Sequence, residues 1–162
     1  MQKIVPFLWF DTQAEEAANL YVSLFDNSRV GSITRFSEAS SQAAGKPAGS
    51  VMTVQFWLDG QEIVALNGGP QFKFSEAFSF AVRCKDQAEI DEKWDKLTSD
   101  GGEPSYCGWL KDKFGFSWQL TPANLEDLLD GSDPARAERV TAALMEMRKI
   151  DLGVLEKAYR GE

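Results

Sequence analysis

The sequence predicts an α+β protein in which two consecutive β-α-β-β-β modules are followed by a helical C-terminal tail. Strand-like and helix-like apolar patterns occur twice in the same order, a related hexapeptide opens the helix of each repeat, and the apolar spacing becomes helical after Pro122. We expect the first module at residues 1–70, the second at 71–122 and the helical extension at 123–162, all within one structural domain.

In the first module, residues 3–10 have the composition of a strand, in which Pro6 indicates an edge position or a bulge. Apolar residues at helical spacing predict a helix from about residue 13 to 25, and Thr12 with Glu15 has the spacing of a capping box. Three more strands are predicted at 30–36, 50–58 and 61–67. The last two are joined by Asp59-Gly60, which is typical of a type I′ hairpin, whereas the small, polar segment 37–49 is predicted to be a flexible loop.

The second module repeats this order. A strand is predicted at 76–84 and a helix within 85–102, with Asp86 as its N-cap. Short strands are expected at 103–107, 109–112 and 116–121. TQAEEA at residues 12–17 aligns with DQAEID at 86–91, and each follows a strand and opens a helix, which indicates an internal duplication.

The segment after Pro122 is predicted to be helical, with caps at Asn124 and at Ser132 or Asp133, and with Pro134 near a first helical position. Its apolar residues recur on one face. We expect that face to pack on the sheets or on a second subunit.

Composition excludes several classes of protein. The net charge of -8 argues against nucleic-acid binding, and no apolar run is long enough to cross a membrane. The N-terminus lacks a signal-peptide pattern, so we expect a soluble, cytoplasmic protein. Cys84 and Cys107 fit no metal motif and are expected to be small apolar residues. The absence of histidine removes the commonest general base and the usual zinc sites.

Several longer segments resemble the vicinal oxygen chelate superfamily of glyoxalases, extradiol dioxygenases and bleomycin-resistance proteins, and in particular its PhnB-like, 3-demethylubiquinone-9 3-methyltransferase-like branch. They are WFDTQAEEAANLYVSLF at 9–25, ALNGGP at 65–70, CGWLKDKFGFSWQL at 107–120 and ERVTAALMEMRKIDLGVLEKAY at 138–159. The resemblance implies tandem modules with curled mixed sheets, a ligand cleft within the curl, and a homodimer.

Active members of that superfamily place His, Gln or Glu metal ligands on the first and last strand of each module. The matching segments 7–10, 64–67, 78–82 and 117–120 contain no His and no carboxylate, so we expect no catalytic metal and no other cofactor. Asn67 stands where an active relative keeps a ligand. LNGGP at 66–70 leads into a strand rather than a helix, so it is neither a phosphate loop nor an S-adenosylmethionine motif.

The aromatic and amide residues in the strand segments 7–10, 64–67, 78–82 and 117–120 favour an apolar pocket with a few orienting hydrogen bonds. The candidate ligand-binding residues are aromatic walls, two amides and two groups at the mouth: Trp9, Trp57, Phe78, Phe80, Trp118, Asn67, Gln119, Tyr106 and Lys111. The charged turn 111–113 is expected at the surface, and no carboxylates stand out as an acid-base pair.

Three functions remain open from the sequence. The first is a metal-independent small-molecule-binding protein. The second is an enzyme that acts on a small quinone-like or other aromatic substrate, and the third is a dimeric scaffold without a ligand.

Overall fold

The computed structural model describes all residues from Met1 to Glu162, and these form two compact units, Met1–Lys73 and Phe74–Glu162. The first unit contains four strands and two helices. They are β1 (Phe7–Phe10), α1 (Ala14–Val22), β2 (Arg29–Arg35), α2 (Glu38–Ala44), β3 (Val51–Leu58) and β4 (Gln61–Asn67).

The four strands of the first unit form sheet 1, in the order β1-β4-β3-β2. β1 runs parallel to β4, whereas β3 is antiparallel to both of its neighbours. Helix α1 covers one face of this sheet, where the Tyr21 and Phe56 ring centroids are 6.3 Å apart. Because side chains alternate along a strand, the buried residues of β1, β3 and β4 share this face. They are Leu8, Phe10, Val54, Phe56, Leu58, Ile63, Ala65 and Asn67.

The second unit repeats the arrangement and adds three helices. Its elements are β5 (Ser79–Cys84), α3 (Gln87–Thr98), β6 (Glu103–Pro104), β7 (Trp109–Lys111), β8 (Ser117–Pro122), α4 (Leu125–Leu128), α5 (Pro134–Met145) and α6 (Leu152–Arg160). Sheet 2 has the order β5-β8-β7-β6, with β5 parallel to β8. Helix α3 contacts β5, β7 and β8, and its buried residues include Ile90, Trp94 and Leu97. The two sheets therefore share one strand order, as a duplication predicts.

The C-terminal helices have an apolar core of their own, formed by Leu128, Val140, Ile150 and Leu155. Two backbone hydrogen bonds of 2.8 Å join this extension to the loop before β7, from Cys107 N to Met147 O and from Gly108 N to Arg148 O. The Gln87 side chain on α3 adds two more, because it donates to Ile150 O at 3.0 Å and accepts from Leu152 N at 2.8 Å. The extension is thus a packed part of the second unit.

Several local predictions are confirmed. Asp86 and Asp133 cap α3 and α5, with their carboxylates accepting from Glu89 N at 2.9 Å and Arg136 N at 3.1 Å. Asp59 and Gly60 have φ values of 46° and 78°, and two positive φ values are what a type I′ turn requires. These features depend on neighbours in sequence, which explains why the pattern alone predicts them.

Two predictions in the first unit are wrong. Residues 37–49 are not an unstructured loop, because α2 lies within them and Ser37 with Ser40 forms its capping box. Helix α1 begins at Ala14 without a capping box from Thr12. Its first N–H, that of Ala14, donates instead to Asn67 Oδ1 at 2.9 Å, from 53 residues away in sequence. Because this partner is distant in sequence, the residues around the start of α1 do not indicate it.

No helix in the chain combines the length and the apolar character needed to cross a membrane.

Candidate functional site

The face of each sheet that is turned away from its helix is called its open face below. On sheet 1, the strand register places Trp9 in a row with Leu66, Thr53 and Thr34. The Trp9 indole N–H donates to Gly69 O at 2.9 Å, and the ring lies edge-on to Phe72 at 4.9 Å. The indole is therefore held in a single position, with one ring face over the turn after β4.

A close approach at Gly68 helps to hold the indole there. A Cβ built on Gly68 would come within 2.2 Å of the Trp9 ring. Because such a distance is far shorter than any real Cβ contact, only glycine fits at this position. The glycine pair of the LNGGP segment thus serves tryptophan packing.

A second row on the same open face carries Trp57. The Arg29 guanidinium lies 3.6 Å from the Trp57 ring centroid, a close cation–π contact. Glu62, opposite Trp57 in the register, accepts from Gln55 Nε2 at 2.6 Å, and Gln55 in turn accepts from Ser32 Oγ at 2.9 Å. The side chains of Ser32, Gln55 and Glu62 thus form a chain of hydrogen bonds beside Trp57.

Asn67 lies on the opposite face of sheet 1, against α1, and is 6% exposed. Its Oδ1 accepts from Ala14 N, and its Nδ2 donates to Val51 O at 3.1 Å. Both ends of the amide thus bond to backbone groups and connect β4 to α1 and β3. The structure accounts for the asparagine without a ligand.

The open face of sheet 2 carries a cluster of short polar side chains, Ser79, Ser117 and Gln119, called the serine–glutamine cluster here. Gln119 Nε2 donates to Ser79 Oγ at 2.9 Å. Ser117 lies between Ser79 on β5 and Lys111 on β7 in the register. Its side chain is only 1% exposed, and its Oγ is buried without a hydrogen-bond partner. A buried hydroxyl without a partner costs about 1–3 kcal/mol, so it needs an explanation.

Two larger residues flank the cluster. Trp109 is half-buried and lies opposite Gln119 in the register. Lys111 Nζ makes an ion pair of 2.7 Å with Glu76 Oε1, and the lysine and glutamate side chains are 35% and 62% exposed. This ion pair lowers the pKa of Glu76 and raises that of Lys111, so both are charged at neutral pH.

The remaining aromatic candidates of the second unit lie elsewhere. Phe80 and Trp118 are paired across β5 and β8 on the face that contacts α3, with centroids 5.3 Å apart. Phe78, which is 52% exposed, packs edge-on to Phe80 at 5.7 Å. Tyr106 lies in the loop before β7, with the Arg148 guanidinium 5.1 Å from its ring. Of the nine candidates, Trp9 and Trp57 share the open face of sheet 1, and Lys111 and Gln119 share that of sheet 2.

The turn at 111–113 was expected at the surface, but Asp112 within it is buried. Its side chain is 2% exposed. Oδ1 accepts from Phe114 N at 2.9 Å and Phe116 N at 3.1 Å, and Oδ2 accepts from Trp118 Nε1 at 2.9 Å. The carboxylate holds the β7–β8 turn and fixes the buried indole, so it has a structural role.

Sequence reasoning missed Ser79, Ser117, Trp109 and Glu76. The first three were detectable, because residues two apart along a strand share a face and Gln119 was already a candidate. Ser117 lies two residues before Gln119 on β8. Ser79 lies opposite Ser117 on β5, and Trp109 lies opposite Gln119 on β7. Glu76 precedes β5 in an irregular segment, where no periodic signal exists.

The donor sets do not fit the catalytic metal of active superfamily members. No group of three or more His, Cys, Asp or Glu side chains lies where it could hold a metal ion. On the open faces, the first and last strands supply Glu62 in sheet 1 and the amide of Gln119 in sheet 2. Glu62 already accepts from Gln55, and an amide is a poor ligand for a transition metal.

The two cysteines are expected to differ in reactivity towards a thiol reagent such as Ellman's reagent at pH 8. Burial, aided by the Glu89 carboxylate, raises the pKa of Cys84 to about 12, so its reactive thiolate is scarce at that pH. Cys107 is half-buried, with its Sγ 3.7 Å from Met145 Sδ. We expect one thiol to react in the native protein and the second only after unfolding. The fast phase should disappear in Cys107→Ser and persist in Cys84→Ser; loss of that phase in Cys84→Ser would contradict the assignment.

Comparison with known proteins identifies the family. The sequence model of the 3-demethylubiquinone-9 3-methyltransferase family matches residues 2–121. A PhnB protein from Bacillus cereus is 40% identical, with a TM-score of 0.67, over 75% of this chain and 100% of its own. No curated protein matches the chain.

More distant structures share the fold. Protein PA1353 from Pseudomonas aeruginosa is 17% identical with a TM-score of 0.58, over 75% of this chain and 98% of its own. The fosfomycin resistance protein FosX from Listeria monocytogenes is 17% identical with a TM-score of 0.53, over 80% of this chain and 97% of its own. The predicted fold of tandem modules is confirmed. The chain belongs to the 3-demethylubiquinone-9 3-methyltransferase (PhnB-like) family and has the vicinal oxygen chelate fold.

Proposed function

We propose that the protein binds a small organic molecule, without a metal ion, on the open face of sheet 2. The ligand would lie over the serine–glutamine cluster, with Trp109 and Lys111 at its sides. Short polar side chains at the centre of a sheet face, next to a tryptophan, form the combination expected of an orienting site beside an apolar wall. The absence of histidine from the chain supports binding without a metal.

The observation that carries this proposal is the unsatisfied hydroxyl of Ser117. Its neighbours in the register, Ser79 and Lys111, have hydrogen-bond partners, whereas Ser117 Oγ has none. A ligand that bonds to this hydroxyl removes the cost of leaving it unpaired. Since Ser117 lies on the face of β8 that is turned away from α3, a ligand on the open face is the partner that we propose.

Tryptophan fluorescence during titration with a panel of small aromatic and aliphatic compounds tests the proposal. We expect quenching or a spectral shift with a subset of compounds, because Trp109 lies opposite Gln119. Gln119→Ala and Ser117→Ala should each weaken binding about threefold to tenfold, the effect of losing a hydrogen bond. Gln42→Ala and Ser99→Ala are matched controls, since both residues are exposed and neither lies on a strand of sheet 2.

The proposal would be wrong if no compound changed the fluorescence. It would also be wrong if Gln119→Ala and Ser117→Ala bound every active compound as tightly as the two control variants and the wild-type protein do. Urea unfolding of each variant separates lost binding from lost folding.

A second candidate is an enzyme that acts on a small quinone-like or other aromatic substrate. The description of the matched family as a methyltransferase favours it. Including S-adenosylmethionine in the same panel distinguishes the two. Saturable binding of S-adenosylmethionine, followed by methylation of a bound aromatic compound, would favour the enzyme, whereas binding of the aromatic compound alone favours the first function.

A further inference from the structure

We infer that the molecule bound on sheet 2 is an organic anion whose carboxylate takes the place that Glu76 occupies in the free protein. This inference rests on the proposed binding function and names its ligand class. Three groups carry it: the ammonium of Lys111 and the hydroxyls of Ser117 and Ser79. All three lie next to one another across β7, β8 and β5 on the open face.

The balance of donors and acceptors favours an acceptor-rich ligand. Ser117 has an unused hydroxyl proton, and the residue is 1% exposed. Ser79 Oγ accepts from Gln119, which leaves the serine's own proton to donate elsewhere. Lys111 carries three N–H donors and one ion pair. The carboxylates of Glu76 and Glu103 lie beside Lys111, and the Gln119 carbonyl lies in the cluster, but none of these acceptors bonds to the Ser117 hydroxyl. The two serine protons therefore favour an acceptor on the ligand.

Glu76 shows that this position accepts a carboxylate. Its Oε1 lies 2.7 Å from Lys111 Nζ, yet its side chain is 62% exposed. Exposed ion pairs contribute little to stability, so exchange of one carboxylate for another costs little. A ligand carboxylate can in addition accept from the Ser117 hydroxyl, and hydrogen bonds to a charged group are stronger than those between neutral groups. The exchange therefore favours the ligand.

The rest of the ligand is expected to be planar or apolar. Trp109 is half-buried and lies across the register from Gln119, next to the polar cluster. An aromatic ring attached to the carboxylate would contact the indole while the acid group reaches Lys111 and Ser117. The ligand class is thus a small aromatic or short-chain carboxylic acid.

The experiment compares benzoate with benzamide, which have nearly the same shape but differ in charge. Two-dimensional NMR follows the Trp109 indole and Gln119 amide signals during titration. We expect benzoate to bind at least about tenfold more tightly than benzamide, as charged hydrogen bonds predict. Lys111→Met should remove this preference, whereas Lys157→Met, on an exposed position of α6, should retain it.

Glu76→Gln is expected to change the affinity for benzoate in the opposite direction from Lys111→Met. Removing the competing carboxylate should strengthen benzoate binding about threefold, as expected for a weak exposed ion pair. Because Glu76 is exposed, this variant is expected to fold normally, and it keeps the inference testable if Lys111→Met is unstable. Unchanged or weaker benzoate binding in Glu76→Gln would overturn the exchange of carboxylates.

The outcomes separate this inference from the proposed function. Equal affinities of benzoate and benzamide at the Gln119 signal would overturn the anion preference and leave small-molecule binding intact. Shifts caused equally by inorganic phosphate, with no contribution from the ring, would also overturn it. If neither aromatic compound shifted either signal at millimolar concentration, both the inference and the proposed function would fail.

Discussion

Replacing Asp112 with Ala is expected to lower the free energy of unfolding by about 3 kcal/mol or more, the largest stability effect of any substitution considered. The carboxylate is 2% exposed and accepts from Phe114 N, Phe116 N and Trp118 Nε1. Alanine would remove the carboxylate that accepts from the buried indole N–H and from two turn amides. Each hydrogen bond to a charged group contributes about 1.5–3 kcal/mol, but losses within one network do not add fully.

Urea unfolding of the wild type, Asp112→Asn, Asp112→Ala and Asp95→Ala measures this effect. The asparagine variant should fall between the other two, because its carbonyl retains one acceptor. Asp95→Ala is the matched control, since Asp95 is exposed on α3 and its loss should change stability by less than about 0.5 kcal/mol. A stability of Asp112→Ala within that range of the wild type would show that the buried carboxylate is dispensable.

Replacing Asn67 with Ala is expected to lower the free energy of unfolding by about 2 kcal/mol. Two hydrogen bonds are lost, a buried one from Ala14 N to Oδ1 at 2.9 Å and a partly buried one from Nδ2 to Val51 O at 3.1 Å. The first caps α1, and loss of a helix cap by itself costs about 1 kcal/mol. The Asn67 side chain thus acts as a structural connection between β4, α1 and β3.

Asn67→Asp separates the two hydrogen bonds. It retains the acceptor at the N-terminus of α1, where a negative charge is favourable, but places a carboxylate oxygen against Val51 O. We expect Asp to be at least as destabilising as Ala. Asn19→Ala, at an exposed position on α1, is the control. Normal stability of both variants, together with impaired ligand binding, would instead assign Asn67 to the ligand site.

Local sequence was sufficient to predict the type and order of almost every element. The strand at 61–67 has the predicted bounds, and the Asp86 cap and the Asp59-Gly60 turn form as expected. These features depend on residues within a few positions of one another, and an apolar period or a turn dipeptide records them directly. Helix α2 was missed because its seven residues, all Ala, Ser, Glu or Gln, have no large apolar side chains that recur at helical spacing.

The faces of the strands were harder to predict than the strands themselves. Gln119 and Trp118 are neighbours and both were candidates, yet adjacent residues on a strand point to opposite faces. Apolar residues occur on both faces of β4, so its pattern does not show which face meets the helix, whereas Ser117, Gln119 and Thr121 give β8 one polar face. That choice is made by α1 and α3, whose buried residues pack on one side only.

From sequence alone, the chain's family, its duplicated element order and its lack of imidazole chemistry were determined, because each depends on residue identity or on short-range spacing. Tertiary structure alone decided that Asn67 caps a helix 53 residues away, that Asp112 is buried under an indole, and that Ser117 is enclosed without a partner between Ser79 and Lys111. The physical reason is the same in each case. Hydrogen-bond satisfaction and burial depend on which distant strands and helices become neighbours, and a local pattern carries no record of that pairing.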